Sequence, residues 1–168
     1  MAELIELRRK HAEFGAALDT LRRTADEMES GTRLELWDRL TATVGFLVHD
    51  LLPYTSVEDE ILYPALAAAS ETSTPIDVLR AEHVEIARMT GELDEARRSL
   101  PLGENGAWTN LRRLLYGLHA VARLHFTVED EIVLPLLESD LDARDAEEIA
   151  DAMRAVVHNT MLSPAYQA

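Results

Sequence analysis

Val57-Glu58-Asp59-Glu60-Ile61 and Val128-Glu129-Asp130-Glu131-Ile132 are one pentapeptide written twice, 71 residues apart. The likeness extends beyond it. Trp37, Leu40, Val44, Leu47, Leu51, Tyr54, Glu58, Ile61 and Ala65 match Trp108, Leu111, Leu115, Leu118, Ala122, His125, Glu129, Ile132 and Leu136 at the same interval. Each member stands three or four residues from the last, the spacing of the buried stripe of an amphipathic helix. The pattern predicts two long helices that carry polar groups where Leu is expected: Tyr54 and Glu58 in one, His125 and Glu129 in the other.

The segments before each of these helices are also related. Leu4, Leu7, Phe14, Leu18, Leu21, Ala25 and Met28 form a stripe whose missing step is His11. This predicts a helix of about 25 residues, roughly 38 Å long. Ile76, Leu79, His83, Ile86, Thr90 and Leu93 repeat it, shifted by 72, with His83 in the place of His11. Ser30-Gly31-Thr32 ends the first helix and offers a cap for the second, which runs from about Leu34 to Ala69. Glu71 to Pro75 and Ser99 to Gly106 read as links, and the fourth helix runs from about Ala107 to Ser139. Pro53, Pro64 and Pro135 predict bends within the second and fourth helices.

The chain is thus two copies of one helical hairpin, expected to form an all-α, up-down-up-down four-helix bundle over about residues 4–138 of a single domain. A last amphipathic segment, Asp142 to about Met161, holds Ile149, Met153, Val156 and Val157 and is expected on the outside or at one end; Gln167 and its neighbours read as tail.

Composition narrows the function. A net charge of −15 opposes nucleic acid and anionic membrane surfaces as partners. The absence of Cys excludes disulfides, thiolate metal sites and cysteine nucleophiles. Met1 to Phe14 has no leader pattern and no apolar run approaches the roughly 20 residues that span a bilayer, so the expectation is a soluble cytoplasmic protein.

Counting residues from each turn places His11, Tyr54, Glu58, His83, His125 and Glu129 in one layer of an otherwise apolar core. The pairs Tyr54/Glu58 and His125/Glu129 are spaced i, i+4 and reach a common point. Two buried carboxylates without a counter-charge cost several kcal/mol, and neither seam carries Lys or Arg. A cation is the economical solution, and two Glu with His from three helices suit a dinuclear metal centre inside a bundle. His49 falls on the opposite face, His119 on a flank or beside a path to the site, and His158 in the final segment. Asp59, Glu60, Asp130 and Glu131 read as solvated faces, with Asp59 or Asp130 available to hold a ligating His from behind.

This arrangement, together with the segment Leu51-Leu52-Pro53-Tyr54-Thr55-Ser56-Val57-Glu58-Asp59-Glu60-Ile61-Leu62-Tyr63-Pro64, resembles the hemerythrin-like HHE cation-binding domain from about residue 4 to 138. The resemblance implies His11, His83 and His125 as terminal ligands and Glu58 and Glu129 as carboxylate bridges of a non-haem di-iron site. Tyr54 stands where the family has a His, and only three of the five His of the oxygen carriers have equivalents here. Tyr54 either ligates a metal or hydrogen-bonds to a bound oxygen species. A phenolate favours ferric iron. Two ferric ions, two carboxylates, one phenolate and an oxo bridge leave a net charge of about +1. The expectation is two iron ions, resting ferric with an oxo or hydroxo bridge, that meet peroxide, nitric oxide or another small diatomic ligand. Peroxide disproportionation, or detoxification of nitric oxide and peroxide under oxidative and nitrosative stress, is expected. The alternative is an oxygen- or iron-binding sensor without turnover. The sequence identifies no protein partner.

Overall fold

A computed structural model describes residues 2–30, 32–69, 74–100, 107–140 and 143–161. Gly31, most of the link after Ala69, the loop before Ala107 and the tail with Gln167 lie outside the described residues, as do the side chains of Leu4, Val156, Val157 and His158. The first helix, α1 (Ala2–Glu27), buries Leu7, His11, Phe14, Leu18, Leu21 and Ala25, the stripe expected of it. Thr32 caps α2 (Arg33–Phe46) through a capping box: its hydroxyl accepts from the Glu35 amide at 3.2 Å, and its own amide donates to Glu35 Oε2 at 2.7 Å.

The second rod continues through α3 (Leu52–Val57) to α4 (Tyr63–Ala69). The second hairpin consists of α5 (Thr74–Ser99), with Pro75 in its first turn, then α6 (Ala107–Val128) and α7 (Leu134–Asp140). The α1 helix packs on α2 and α6, and α5 packs on the same two, so order around the bundle follows order in the chain. The terminal helix α8 (Ala143–Met161) lies outside, against α1, α3 and the turn that carries Glu58, with Ala150 and Met153 buried. The described residues contain no strand, and none of their helices is long and apolar enough to cross a membrane.

The bends expected at the prolines take a particular form. A π-helical turn precedes each one: Leu47–Leu51 before Pro53, Glu58–Leu62 before Pro64, Glu129–Val133 before Pro135. In all three the residue just before the proline donates to the carbonyl five residues back, Leu52 to Leu47, Tyr63 to Glu58 and Leu134 to Glu129. Proline lacks the N–H and its ring crowds the carbonyl four residues back, and widening the turn relieves that clash.

The extra residue per turn corrects the last two steps of the expected stripe. Beyond Glu58 and Glu129 the buried set is Leu62, Tyr63 and Leu66 in one rod and Val133, Leu134 and Leu137 in the other. Ile61 and Ala65 are only half-buried, as is Leu136, and Ile132 is 46 % exposed. From Leu40 to Glu58 and from Leu111 to Glu129 the stripe is buried as predicted, while Trp37 and Trp108 at its start are half-buried. Leu118, fully buried at its centre, is well placed to report the core: Leu118→Ala should cost about 2–5 kcal/mol in denaturant unfolding.

Candidate metal centre

All six polar residues of the predicted layer meet in the bundle interior, none more than 5 % exposed. His11 comes from α1, Tyr54 from α3, His83 from α5 and His125 from α6, while Glu58 and Glu129 open the second and third π turns. Three imidazole Nε2 atoms face two carboxylates. His11 Nε2 is 3.7 Å from Glu58 Oε1 and 3.5 Å from Glu129 Oε2; His83 Nε2 is 3.4 Å from Glu58 Oε2; His125 Nε2 is 3.5 Å from Glu129 Oε2. His83 and His125 bring their Nε2 atoms to 3.1 Å. The Tyr54 hydroxyl lies 3.2 Å from His11 Nε2.

Two groups of donors result, each within 4.8 Å: Glu58 with His83 and His125, and His11 with Glu58 and Glu129. Glu58 belongs to both. Its two oxygens and Glu129 Oε2 are buried without a hydrogen bond, and among the described residues the ion pairs of both carboxylates are with imidazoles alone. Carboxylate oxygens so placed cost several kcal/mol each unless a cation meets them. Two donors on one ion at about 2.1 Å stand about 3.4 Å apart, close to the spacing seen here. The donor set fits a pair of metal ions that share Glu58.

Behind each imidazole stands a carboxylate. His11 Nδ1 hydrogen-bonds to Asp130 Oδ1 at 2.8 Å and His125 Nδ1 to Glu82 Oε2 at 3.1 Å; His83 Nδ1 is 3.1 Å from Asp59 Oδ2, at an angle too oblique for a hydrogen bond. Such partners fix the ring and leave Nε2 to face inward. Asp59 and Asp130 therefore do more than solvate a face, whereas Glu60 and Glu131 are exposed as expected. Arg8 Nη1 donates to the Asp130 carbonyl at 2.8 Å, and Arg80 Nε lies 3.6 Å from Asp59 Oδ1. These arginines are 72 residues apart, as are His11 and His83, so the repeat includes this outer layer.

Two site residues escaped the sequence reading. Glu82 reads as the solvated neighbour of His83, and only the packing of α5 on α6 brings it to His125. Tyr63 lies five residues after Glu58, off an α-helical stripe, and the π turn rotates it inward to donate to Glu129 Oε1 at 2.7 Å. Of the remaining histidines, His49 is exposed. His119 pairs with Asp19 across α1 and α6 at 3.3 Å, on the flank expected of it.

Without metal the buried carboxylates favour protons on the His11 and His125 imidazoles beside them. Burial alone would lower His11, but Asp130 and the Glu58 and Glu129 carboxylates prevail and raise it to about 10. In the same way burial opposes, and Glu58 and Glu129 overcome it, to raise His125 to about 9. Burial would raise Glu58, yet the three imidazoles hold it below the usual carboxylate range; burial and the Glu58 charge push Glu129 upward. Tyr54 is raised well above an ordinary phenol, by burial first and then by the two carboxylates.

The fold and this site define a cation-binding helical bundle. Residues 4–137 match the family model of the hemerythrin HHE cation binding domain, and the chain belongs to that family, a metal-binding helical module. Comparison with curated proteins and with solved structures gave no match.

Two outcomes follow from the geometry. Asp130→Asn should lower metal affinity about 10–100-fold in a chelator competition, because His11 loses the anion that orients it. The raised imidazoles set the pH response: their ordinary value is 6.5, so the stability they contribute is complete below about pH 6.5 and is lost as pH rises through about 9 and 10. The thermal midpoint of metal-free protein should fall from pH 7 to 10, less so in His11→Gln, while apparent metal affinity rises over the same window.

Proposed function

We propose that this chain is a non-haem di-iron protein that reacts with small oxygen or nitrogen species, by peroxide disproportionation or by nitric oxide and peroxide detoxification. The observation that supports it above all is Glu58, common to two groups of buried metal donors. His11, His83 and His125 are read as terminal ligands, Glu58 and Glu129 as the carboxylates between two ions. Iron is preferred because the Tyr54 phenol, beside His11 and enclosed by Phe14 at 5.0 Å, adds a hard oxygen donor to that side of the site. Bound iron supplies the change of oxidation state.

The chain's own groups do the rest. Asp130 and Glu82 orient two of the rings, and Glu58 spans the two donor groups. Phe126, 4.8 Å from His11 and 5.6 Å from Phe14, excludes bulk water from that side. Tyr54 either ligates, where its phenolate favours the oxidised centre, or donates a hydrogen bond to a species held there.

A second reading, a binding or sensing module without turnover, draws support from α8, which packs directly on the turn carrying Glu58 and would feel a change in that turn.

Purified protein should be coloured by a ferric phenolate band and contain two irons per chain, and Tyr54→Phe should abolish the band. A colourless, iron-free preparation rejects the proposal. Peroxide turnover by the iron-loaded protein should exceed that of Glu129→Ala many-fold, and equal inertness of the two favours the binding module.

A further inference from the structure

Tyr63 lies outside the ligand set above, yet its hydroxyl sits within it. It donates to Glu129 Oε1 at 2.7 Å and lies 3.4 Å from His83 Nε2. The ring is fully buried and stacked on His83, with centroids 5.4 Å apart and planes 16° from parallel. Arg80 places its guanidinium carbon 6.0 Å from the ring centroid. The matching position of the second repeat, 71 residues on, is Leu134. The first repeat therefore aims a phenol at Glu129, and the second has only an alkyl group with which to answer Glu58. The two carboxylates differ as a result. Glu58 has both oxygens without a hydrogen bond; Glu129 has only Oε2 so.

We propose that Tyr63 is a positioning residue of the metal centre: by occupying Glu129 Oε1 it makes Glu129 face the site through Oε2 alone, and leaves Glu58 as the carboxylate that serves both ions. This rests on the di-metal reading above and narrows one part of it, taking Glu129 from a carboxylate between two ions to a donor of one oxygen. A free carboxylate can place both oxygens on one ion. A hydroxyl on one oxygen fixes the rotation of the group and draws that oxygen's lone pairs away from the metal. One coordination position that Glu129 would otherwise fill is thereby kept for a small incoming ligand. The π turn and Pro64 supply the geometry, since an α-helical turn would carry residue 63 off the inner face.

The bond is tested first without metal. Tyr63→Phe keeps the stacked ring and removes only the hydroxyl; it should lower the thermal midpoint by about 2–4 °C. In a Glu129→Ala background, where the hydroxyl keeps only the longer contact to His83 Nε2, the same change should have a clearly smaller effect. Iron-loaded proteins are then titrated with azide. Tyr63→Phe, and Tyr63→Leu as the residue of the second repeat, should each hold two irons, keep the Tyr54 band, and bind azide about 10-fold or more weakly.

Absence of the coupling with Glu129, azide affinity equal to wild type, or loss of iron or of part of the phenolate band in both variants overturns the proposal. So does failure of both variants to fold. The metal-free cycle fails or succeeds independently of iron, whereas a wild-type protein that takes up no iron rejects the di-iron reading itself.

Discussion

The fully buried carboxylates of Glu58 and Glu129 hold three oxygens that accept no hydrogen bond, in a core where imidazoles are their only charged company among the described residues. An apolar stripe tolerates small slides of one helix along another, but a buried anion does not, because each ångström of displacement removes a counter-charge where the dielectric is low. The rest of the bundle is arranged to keep those counter-charges in place. Each imidazole that faces the carboxylates is held from behind by an acid on another element: His11 by Asp130, His83 by Asp59, His125 by Glu82. Each such contact is also a tie between helices, so register and site are fixed by the same atoms.

The three π turns give the prolines a role beyond bending. A proline two residues past each turn forces the preceding residue to reach five residues back, and beyond the turns that begin at Glu58 and Glu129 the stripe moves by one position. Glu58 and Glu129 sit at the first residue of their turns, where the ladder is already widened, and their neighbours Asp59 and Asp130 are swung toward His83 of α5 and His11 of α1. Arg8 then takes the Asp130 carbonyl as a side-chain partner. The repeat therefore copies buried donor, turn and supporting acid together.

Against that near-symmetry, the departures stand out. His125 of the second copy is matched by Tyr54, and Leu134 by Tyr63, so the first copy supplies both phenols of the site. One group of donors then has two imidazoles, the other a single imidazole with two carboxylates and a neighbouring phenol. The two halves of the site are chemically unequal although their backbones are built alike.

Much of this was legible in the chain before any coordinates. The 71- and 72-residue repeats, the four helices, and the layer of His11, Tyr54, Glu58, His83, His125 and Glu129 all follow from periodicity, because a misplaced polar residue is conspicuous on an apolar stripe. Three things did not follow. The steps at Ile61 and Ile132 were misread because an i→i+5 turn has no signature in a pattern of threes and fours, and Tyr63 was missed for that same reason. Glu82 was missed because nothing along α5 distinguishes it from other solvated acids; its role exists only where α6 passes beside it. As far as Glu58 and Glu129, the sequence by itself determined which residues face inward, since that is a property of one helix and its period. Tertiary structure decided which of them touch, and which supporting acid serves which ligand, since those depend on rotation and height between helices that no single helix encodes.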